Sequence, residues 1–232
     1  MSTESPYRDA VLACLREWGA RRVLDFPCGT GWLAQQAGKS ISADGLDLFA
    51  SAPASYQKFA RADMDQGIPA GFAGYDAIVS CEAIAYLTRP GIFFCAARDA
   101  LAPGGRLLVT TPNAAFAASR LVFMLRGFFL GYRAMPGVEV KTDHMPLIPW
   151  NYPQLHHHLS LAGFDDIRLH PLDDKSPKHR LEYLLGWPQS LYCGRQALRA
   201  TSALTQAYWR HAGSRSANYG RRLVVSARRA AH

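Results

Sequence analysis

Several things are scarce in this sequence, and each scarcity narrows what the chain can be. Its 232 residues include only five cysteines, Cys14, Cys28, Cys81, Cys95 and Cys193, none of them in a CxxC pair. An odd number without ligand spacing excludes a disulfide framework and a cysteine-built zinc site, and points to a reducing cytoplasm. No stretch reaches the ~18 to 20 uninterrupted apolar residues that span a bilayer. Residues 1–10 carry Glu4, Arg8 and Asp9 with no apolar segment, so they do not read as a secretory signal. Internal repeats and low-complexity tracts are also missing.

Acidic residues run out toward the end. Residues 172–232 hold 11 Lys+Arg against Asp173, Asp174 and Glu182, so this region alone accounts for the net charge of +8. A cationic segment of this kind attracts an anionic membrane surface, nucleic acid or an acidic substrate, or serves as a solvated face that keeps the chain soluble.

What is present is an alternation of short apolar runs and helical stretches. Ser5-Pro6 opens a helix with Val11, Leu15 and Trp18 on one face. Apolar runs at 22–26, 41–48, 59–62, 77–81 and 106–111 are separated by helical or turn sequence, with Ala102-Pro103-Gly104-Gly105 expected to stop the helix over 90–101. Such alternation predicts an α/β fold with a mostly parallel sheet covered on both faces. Residues 114–133 predict a helical insertion, apolar nearly all round its axis and hence buried or covering something greasy. A helix over 151–161, closed by Gly163, leads to a strand at 166–169, and 222–226 supplies a last strand. The chain reads as one domain of 1–232, with a core over 1–113, a lid or acceptor insertion over 114–150, and C-terminal strands with a basic helical insertion over 151–232.

Chemistry concentrates at the ends of the strands. The turn Asp25-Phe26-Pro27-Cys28-Gly29-Thr30-Gly31 joins a strand to a helix, where glycine permits close backbone approach and a helix start presents free N–H groups. Asp47 ends the second strand, where an acid can accept from ribose hydroxyls. Asp63 ends the third, and Cys81-Glu82 the fourth. All four sets fall at the carboxyl edge of one sheet, where open α/β sheets bind ligands.

On these residues the sequence resembles the class I S-adenosylmethionine-dependent methyltransferases, in their small-molecule branch. The motifs that carry the likeness are VLDFPCGTG (Val23 to Gly31), GLDL (Gly45 to Leu48), ADMD (Ala62 to Asp65), YDAIVSCEAIAYL (Tyr75 to Leu87) and LAPGGRLLVTTPN (Leu101 to Asn113). HMPLIPWNYPQL (His144 to Leu155) and AGF (Ala162 to Phe164) extend it to about residue 170. The resemblance implies a Rossmann-like, doubly wound, seven-stranded sheet with helical lid insertions, S-adenosylmethionine as donor and S-adenosylhomocysteine as product.

It further implies that Asp25, Cys28, Gly29 and Gly31 surround the methionine moiety, and that Asp47 binds the ribose with Leu48 against adenine. Asp63 would accept from the adenine amino group, Met64 would pack on the ring, and Cys81 with Glu82 would floor the site. Pro27 stands where many relatives have a glycine, which stiffens the turn.

A sulfonium is already activated, so transfer requires positioning of the acceptor and needs neither a metal nor a covalent nucleophile. For a hydroxyl acceptor a base is needed, and His144, beside Asp143, is the candidate, against a structural role in its loop. Tyr86 and Tyr7 are candidates for substrate contact, each with packing as the alternative. The run His156-His157-His158 is not read as a metal site, because successive helix positions point about 100° apart.

Direct in-line transfer to a small-molecule, glycosidic or lipid-linked hydroxyl is the expected reaction, in the cytoplasm or peripherally at the inner face of the membrane, with anionic lipid met through 172–232. The alternatives are methylation of a small amine or of RNA, a dehydrogenase, and a non-catalytic membrane-surface protein on the same fold. Base amines are disfavoured because Ser80-Cys81-Glu82-Ala83 replaces the NPPY or DPPY run that holds them. The turn also lacks the GxGxxG spacing of nicotinamide dinucleotide enzymes.

Overall fold

The computed structural model describes residues 6–49, 53, 55–132, 146–172, 177 and 180–230. Helix α1 (Pro6–Glu17) precedes strand β1 (Arg22–Asp25), after which come α2 (Trp32–Gln36), β2 (Ser42–Asp47), β3 (Phe59–Arg61) and β4 (Tyr75–Cys81). Short 3₁₀ turns occupy Met64–Gln66 and Ile84–Tyr86. Then follow α3 (Pro90–Ala100), β5 (Leu101–Pro112), α4 (Ala117–Arg126), α5 (Tyr152–Leu161), β6 (Phe164–Leu169), α6 (Arg180–Arg199), α7 (Ala203–Ala212), α8 (Arg215–Tyr219) and β7 (Arg222–Arg229).

The seven strands form one sheet in the order β3-β2-β1-β4-β5-β7-β6. Every pairing among the first five is parallel, whereas β7 lies antiparallel to both of its neighbours. The order reverses between β1 and β4, which places the topological switch point beside the glycine turn.

Parallel strands buried on both faces should be apolar at successive positions, and these are. In β4, Ile78 belongs to one core layer while Ala77 and Val79 belong to the other. The same division separates Leu24 from Val23 in β1, and Leu107 and Val109 from Leu108 in β5. One layer is built on Phe26, Phe93, Phe94, Trp150 and Tyr152, and the opposite one on Val11, Leu15 and Leu33. Trp150 has no solvent exposure, and its indole N–H donates to the Ile84 carbonyl at 3.0 Å, which ties the segment ahead of α5 to the turn after β4.

The structure alters one expectation and decides between the two alternatives of another. The Ala102–Gly105 turn does not separate helix from strand: Leu101 pairs with Tyr75 and Arg106 with Ala77, so the turn is a bulge inside β5. Its tightness requires glycine, because a Cβ on Gly105 would stand 2.8 Å from the Tyr75 carbonyl oxygen. Second, the apolar insertion is not buried. Its helix ends at Gly127 in the left-handed conformation, only Ala117 and Ser119 within it are buried, and Met124 and Leu125 are about three-quarters exposed (74% and 71%).

Helix α5 begins as its sequence predicts, with the Asn151 side chain accepting from the Gln154 N–H and proline inside its first turn. The helices α4, α6 and α8 cluster beyond the carboxyl end of β5. Asn113, at that end, donates to the carbonyls of Ala217 and Gly220, and a side chain on Gly186 would run into the ring of Tyr219.

Candidate active site at the carboxyl edge

The ends of β1, β2, β3 and β4 converge on a cavity of about 470 Å³. Its walls include Phe26, Pro27, Asp47, Leu48, Phe49, Ala62, Asp63, Met64, Asp65, Glu82, Ala83, Tyr86 and Leu87. Seven residues expected from the sequence therefore meet there: Pro27, Asp47, Leu48, Asp63, Met64, Glu82 and Tyr86. The others lie behind or beside the wall. Cys28 and Gly29 belong to the supporting turn, and Asp25 and Cys81 are the last residues of β1 and β4.

Tyr7 is outside this lining; its ring packs edge-on against Trp32 at 6.5 Å and lies 5.4 Å from the Arg222 guanidinium. His144 lies outside the described residues. A larger cavity of about 810 Å³ lies between α5, β6 and α7, lined by His156, Tyr208 and His211 among others. It contains no strand end from the glycine-turn side of the sheet, so size alone does not mark the site. The three consecutive histidines diverge, His158 packing on Trp150 and His156 on Tyr208.

Backbone geometry explains the glycine turn. Gly29 has φ +50° and open space where a Cβ would project, with nothing within 4 Å. Its N–H donates to Asp47 Oδ2 at 2.9 Å, and the other oxygen of that carboxylate accepts from the Phe49 N–H at 2.8 Å. Asp47 thus fixes the turn after β1 to the end of β2. Gly31, with φ +82°, is approached by the chain itself: a Cβ there would stand 2.8 Å from Ser55 Oγ. The Cβ side of this second glycine is occupied by Ser55, Pro53 and Tyr56.

Asp25 has no solvent exposure. The Tyr56 hydroxyl donates to its Oδ2 at 2.5 Å, while Oδ1 is buried without a hydrogen-bond partner. An orphaned carboxylate oxygen costs free energy unless a ligand donates to it. Burial pushes the Asp25 carboxyl up to about 7, opposed by the Tyr56 hydrogen bond and assisted by the charge of Asp47. Because the folded state holds this proton more tightly than the unfolded one, stability is present at low pH and lost as pH rises from ~3.9 through about 7. Asp25→Asn should flatten that slope, removing roughly 4 kcal/mol of the decline in unfolding free energy between acidic and neutral pH. Melting curves across this range check it, and an unchanged slope would reassign the titration.

Glu82 carries a positive φ of 57°, unusual for a non-glycine residue and a mark of functional sites. Two groups hold it there. The Thr110 hydroxyl donates to Oε1 at 3.0 Å, and Arg222 Nε donates to Oε2 at 3.0 Å. Neither partner was anticipated from the sequence, since Arg222 is 140 residues away and had no reason to be singled out. On the far wall Asp65 accepts from Thr88 N–H, Thr88 Oγ1 and Arg89 N–H, and the Thr88 and Arg89 donors hold its pKa below the usual carboxylate range, outweighing partial burial.

Tyr132 was also missed. It lies near enough to Tyr86 to feel it, donates to the Ile148 carbonyl at 2.8 Å, and has its phenol pushed up to about 12, chiefly by burial. Cys81 is raised well above an ordinary thiol, first by burial and then by the nearby Asp25. Among the described residues, no cluster of three or more His, Cys, Asp or Glu side chains forms a metal site.

Comparison with known proteins agrees with this geometry. The family model for a methyltransferase domain matches residues 4–169. A curated relative, the malonyl-[acyl-carrier protein] O-methyltransferase of Hahella chejuensis, is 28% identical over 114 residues, covering 44% of this chain and 40% of the relative. The chain therefore spans less than half the length of that relative. Among solved structures, an S-adenosylmethionine-dependent methyltransferase from Mesorhizobium loti superposes with a TM-score of 0.52 at 20% identity, covering 97% of this chain and 98% of the other. A phosphoethanolamine N-methyltransferase 2 of Haemonchus contortus gives 0.52 at 17% identity, covering 96% and 53%. These two likenesses concern the fold.

Proposed function

Because this chain belongs to the methyltransferase-domain family, we propose that it moves a methyl group from S-adenosylmethionine to the hydroxyl of a small-molecule, glycosidic or lipid-linked acceptor. The observation that carries the reading is the convergence of four strand ends on one cavity, with Asp47 at one wall and Glu82 and Tyr86 at the other. Transfer to oxygen has support from the curated relative, an O-methyltransferase by name.

The residues fit the donor. Asp47 at the end of β2 would accept from the ribose hydroxyls, and Phe26, Leu48, Met64 and Leu87 offer apolar surface for adenine. The unpartnered Oδ1 of Asp25 suits an ammonium, which would also favour the ionised form of that carboxyl. When bound, the donor supplies an activated methyl group that needs no metal. The protein's task is then positioning, which can contribute ~7 to 11 kcal/mol.

A hydroxyl acceptor must lose its proton as the methyl arrives. Tyr132 is too weak an acid to take part as phenolate, and Glu82 is held by Thr110 and Arg222. Asp65 is occupied by Thr88 and Arg89. His144 from the acceptor-side insertion fills the role of general base in this reading, with Tyr86 at the cavity wall contacting the substrate. Contact of the basic C-terminal region with an anionic membrane belongs to the same reading.

The test is direct. The purified chain, incubated with isotopically methyl-labelled donor and a panel of phenolic, glycosidic and lipid-linked alcohols, should label one class, with the product heavier by one methylene. S-adenosylhomocysteine should raise the melting temperature and NAD should not. Donor binding without turnover on any hydroxyl, but with turnover on an amine, would move the assignment to nitrogen.

A further inference from the structure

Helix α6 packs with one face and leaves the other bare. Glu182, Gly186, Cys193 and Ala197 are buried. On the opposite side Leu181, Leu184, Trp187, Leu191 and Tyr192 are exposed, and Leu198 is 87% exposed. At 100° per residue these six fall within one stripe, and Arg180, Arg195 and Arg199 fall in it with them. Helix α4 lies alongside, joined by Arg120 to Gln189, and presents Phe123, Met124 and Leu125 with Arg126 at its end.

Leucine and tryptophan at such exposure are costly in water, and no described element covers them. The charges decide what does. Residues 183–232 contain no Asp or Glu, and Glu182, the one acid of α6, is turned inward onto Arg221 at 2.9 Å. A second copy of this chain would set arginines against arginines with no acid on the face to pair them. Nucleic acid would meet the arginines but leave leucines and tryptophan without apolar cover. An anionic bilayer satisfies both sets: leucines enter the acyl boundary, Trp187 and Tyr192 sit at headgroup level, and arginines meet lipid phosphates.

We propose that the exposed stripe of α6, extended by Phe123, Met124 and Leu125 of α4, is a docking surface for an anionic lipid bilayer. This makes the membrane contact specific in place. The basic residues of β7 are not its carriers, since Arg222 and Arg228 are already bonded to Glu82 and Asp165 and Arg229 donates to the Leu101 carbonyl. Helix α4 follows directly on the carboxyl end of β5, so docking sets the cavity edge of the sheet toward the membrane. The surface itself is argued from exposure and charge and does not depend on the methyl-transfer reading.

The experiment is co-sedimentation of the full chain with vesicles of phosphatidylcholine alone, or of phosphatidylcholine with phosphatidylglycerol. Binding should favour the anionic vesicles and weaken as salt rises. The double variant Leu184→Ser/Trp187→Ser should bind at least about tenfold more weakly, having lost two inserting side chains. Arg195→Gln/Arg199→Gln should reduce the preference for anionic over neutral lipid and the dependence on salt. All four residues are on the surface and outside the cavity, so S-adenosylhomocysteine affinity should be unchanged in both variants, which separates a failure here from a failure of the catalytic reading. Equal binding to neutral and anionic vesicles, or binding untouched by the Leu184/Trp187 change, would overturn the proposal. So would a concentration-dependent dimer, seen by sedimentation velocity and abolished by that same change.

Discussion

Replacing Asp47 by alanine is expected to weaken S-adenosylhomocysteine binding by about a hundredfold. The carboxylate is 6% exposed and holds two backbone N–H groups, those of Gly29 and Phe49. Removing it deletes the expected acceptor for the ribose hydroxyls and at the same time releases the turn after β1 from the end of β2. Loss of charge-assisted hydrogen bonds at such a site costs ~2 to 3 kcal/mol, and 1.4 kcal/mol is about a factor of ten. Asp47→Asn keeps one acceptor oxygen and should fall between the two. Isothermal titration of folded protein measures the effect, and a loss smaller than about threefold would mean that the ribose is held elsewhere.

The second large effect concerns stability. Glu182→Ala should destabilise the fold by about 3 kcal/mol, near the lower end of the ~3 to 5 kcal/mol for breaking a buried pair from one side. The Glu182 side chain is 4% exposed and that of Arg221 26%, so the arginine abandoned by the substitution can recover some hydration. Arg221 also lies over the Phe116 ring at 3.9 Å, a contact that depends on its being held in place. For a chain of this size 3 kcal/mol corresponds to a melting temperature lower by roughly 6 to 12 °C. Glu182→Gln retains an acceptor and should cost less. A melting temperature unchanged in the alanine variant would show that the pair is no more than a surface contact.

Which parts were legible in advance follows from the range of the forces involved. The acids at strand ends could be placed because a strand that stops at a polar residue does so at the sheet's edge, and parallel topology brings successive edges together. Asp47, Asp63 and Glu82 accordingly meet where their positions suggest. The antiparallel entry of β7 between β5 and β6 has no local signature, so the bond from Arg222 to Glu82 could not be read from either residue. Tyr56 on Asp25 escaped for the same reason: it follows β2 in a turn and shows no periodicity that would single it out. Nor did the all-round apolar character of α4 reveal its environment, because such a pattern is equally compatible with burial and with a lipid-facing surface. The Leu101–Pro112 strand was read too short because its glycine bulge looks, locally, like an ordinary stop.

The position of β7 has a consequence for assembly. Among the described residues strand β6 pairs with no strand but β7, and Glu82 keeps its place with the help of Arg222, the first residue of β7. A chain emerging from the ribosome therefore carries the glycine turn and the strand-end acids Asp25, Asp47, Asp63 and Glu82 long before it carries Arg222. Arg222 reaches Glu82 only when its strand slots between two strands already translated.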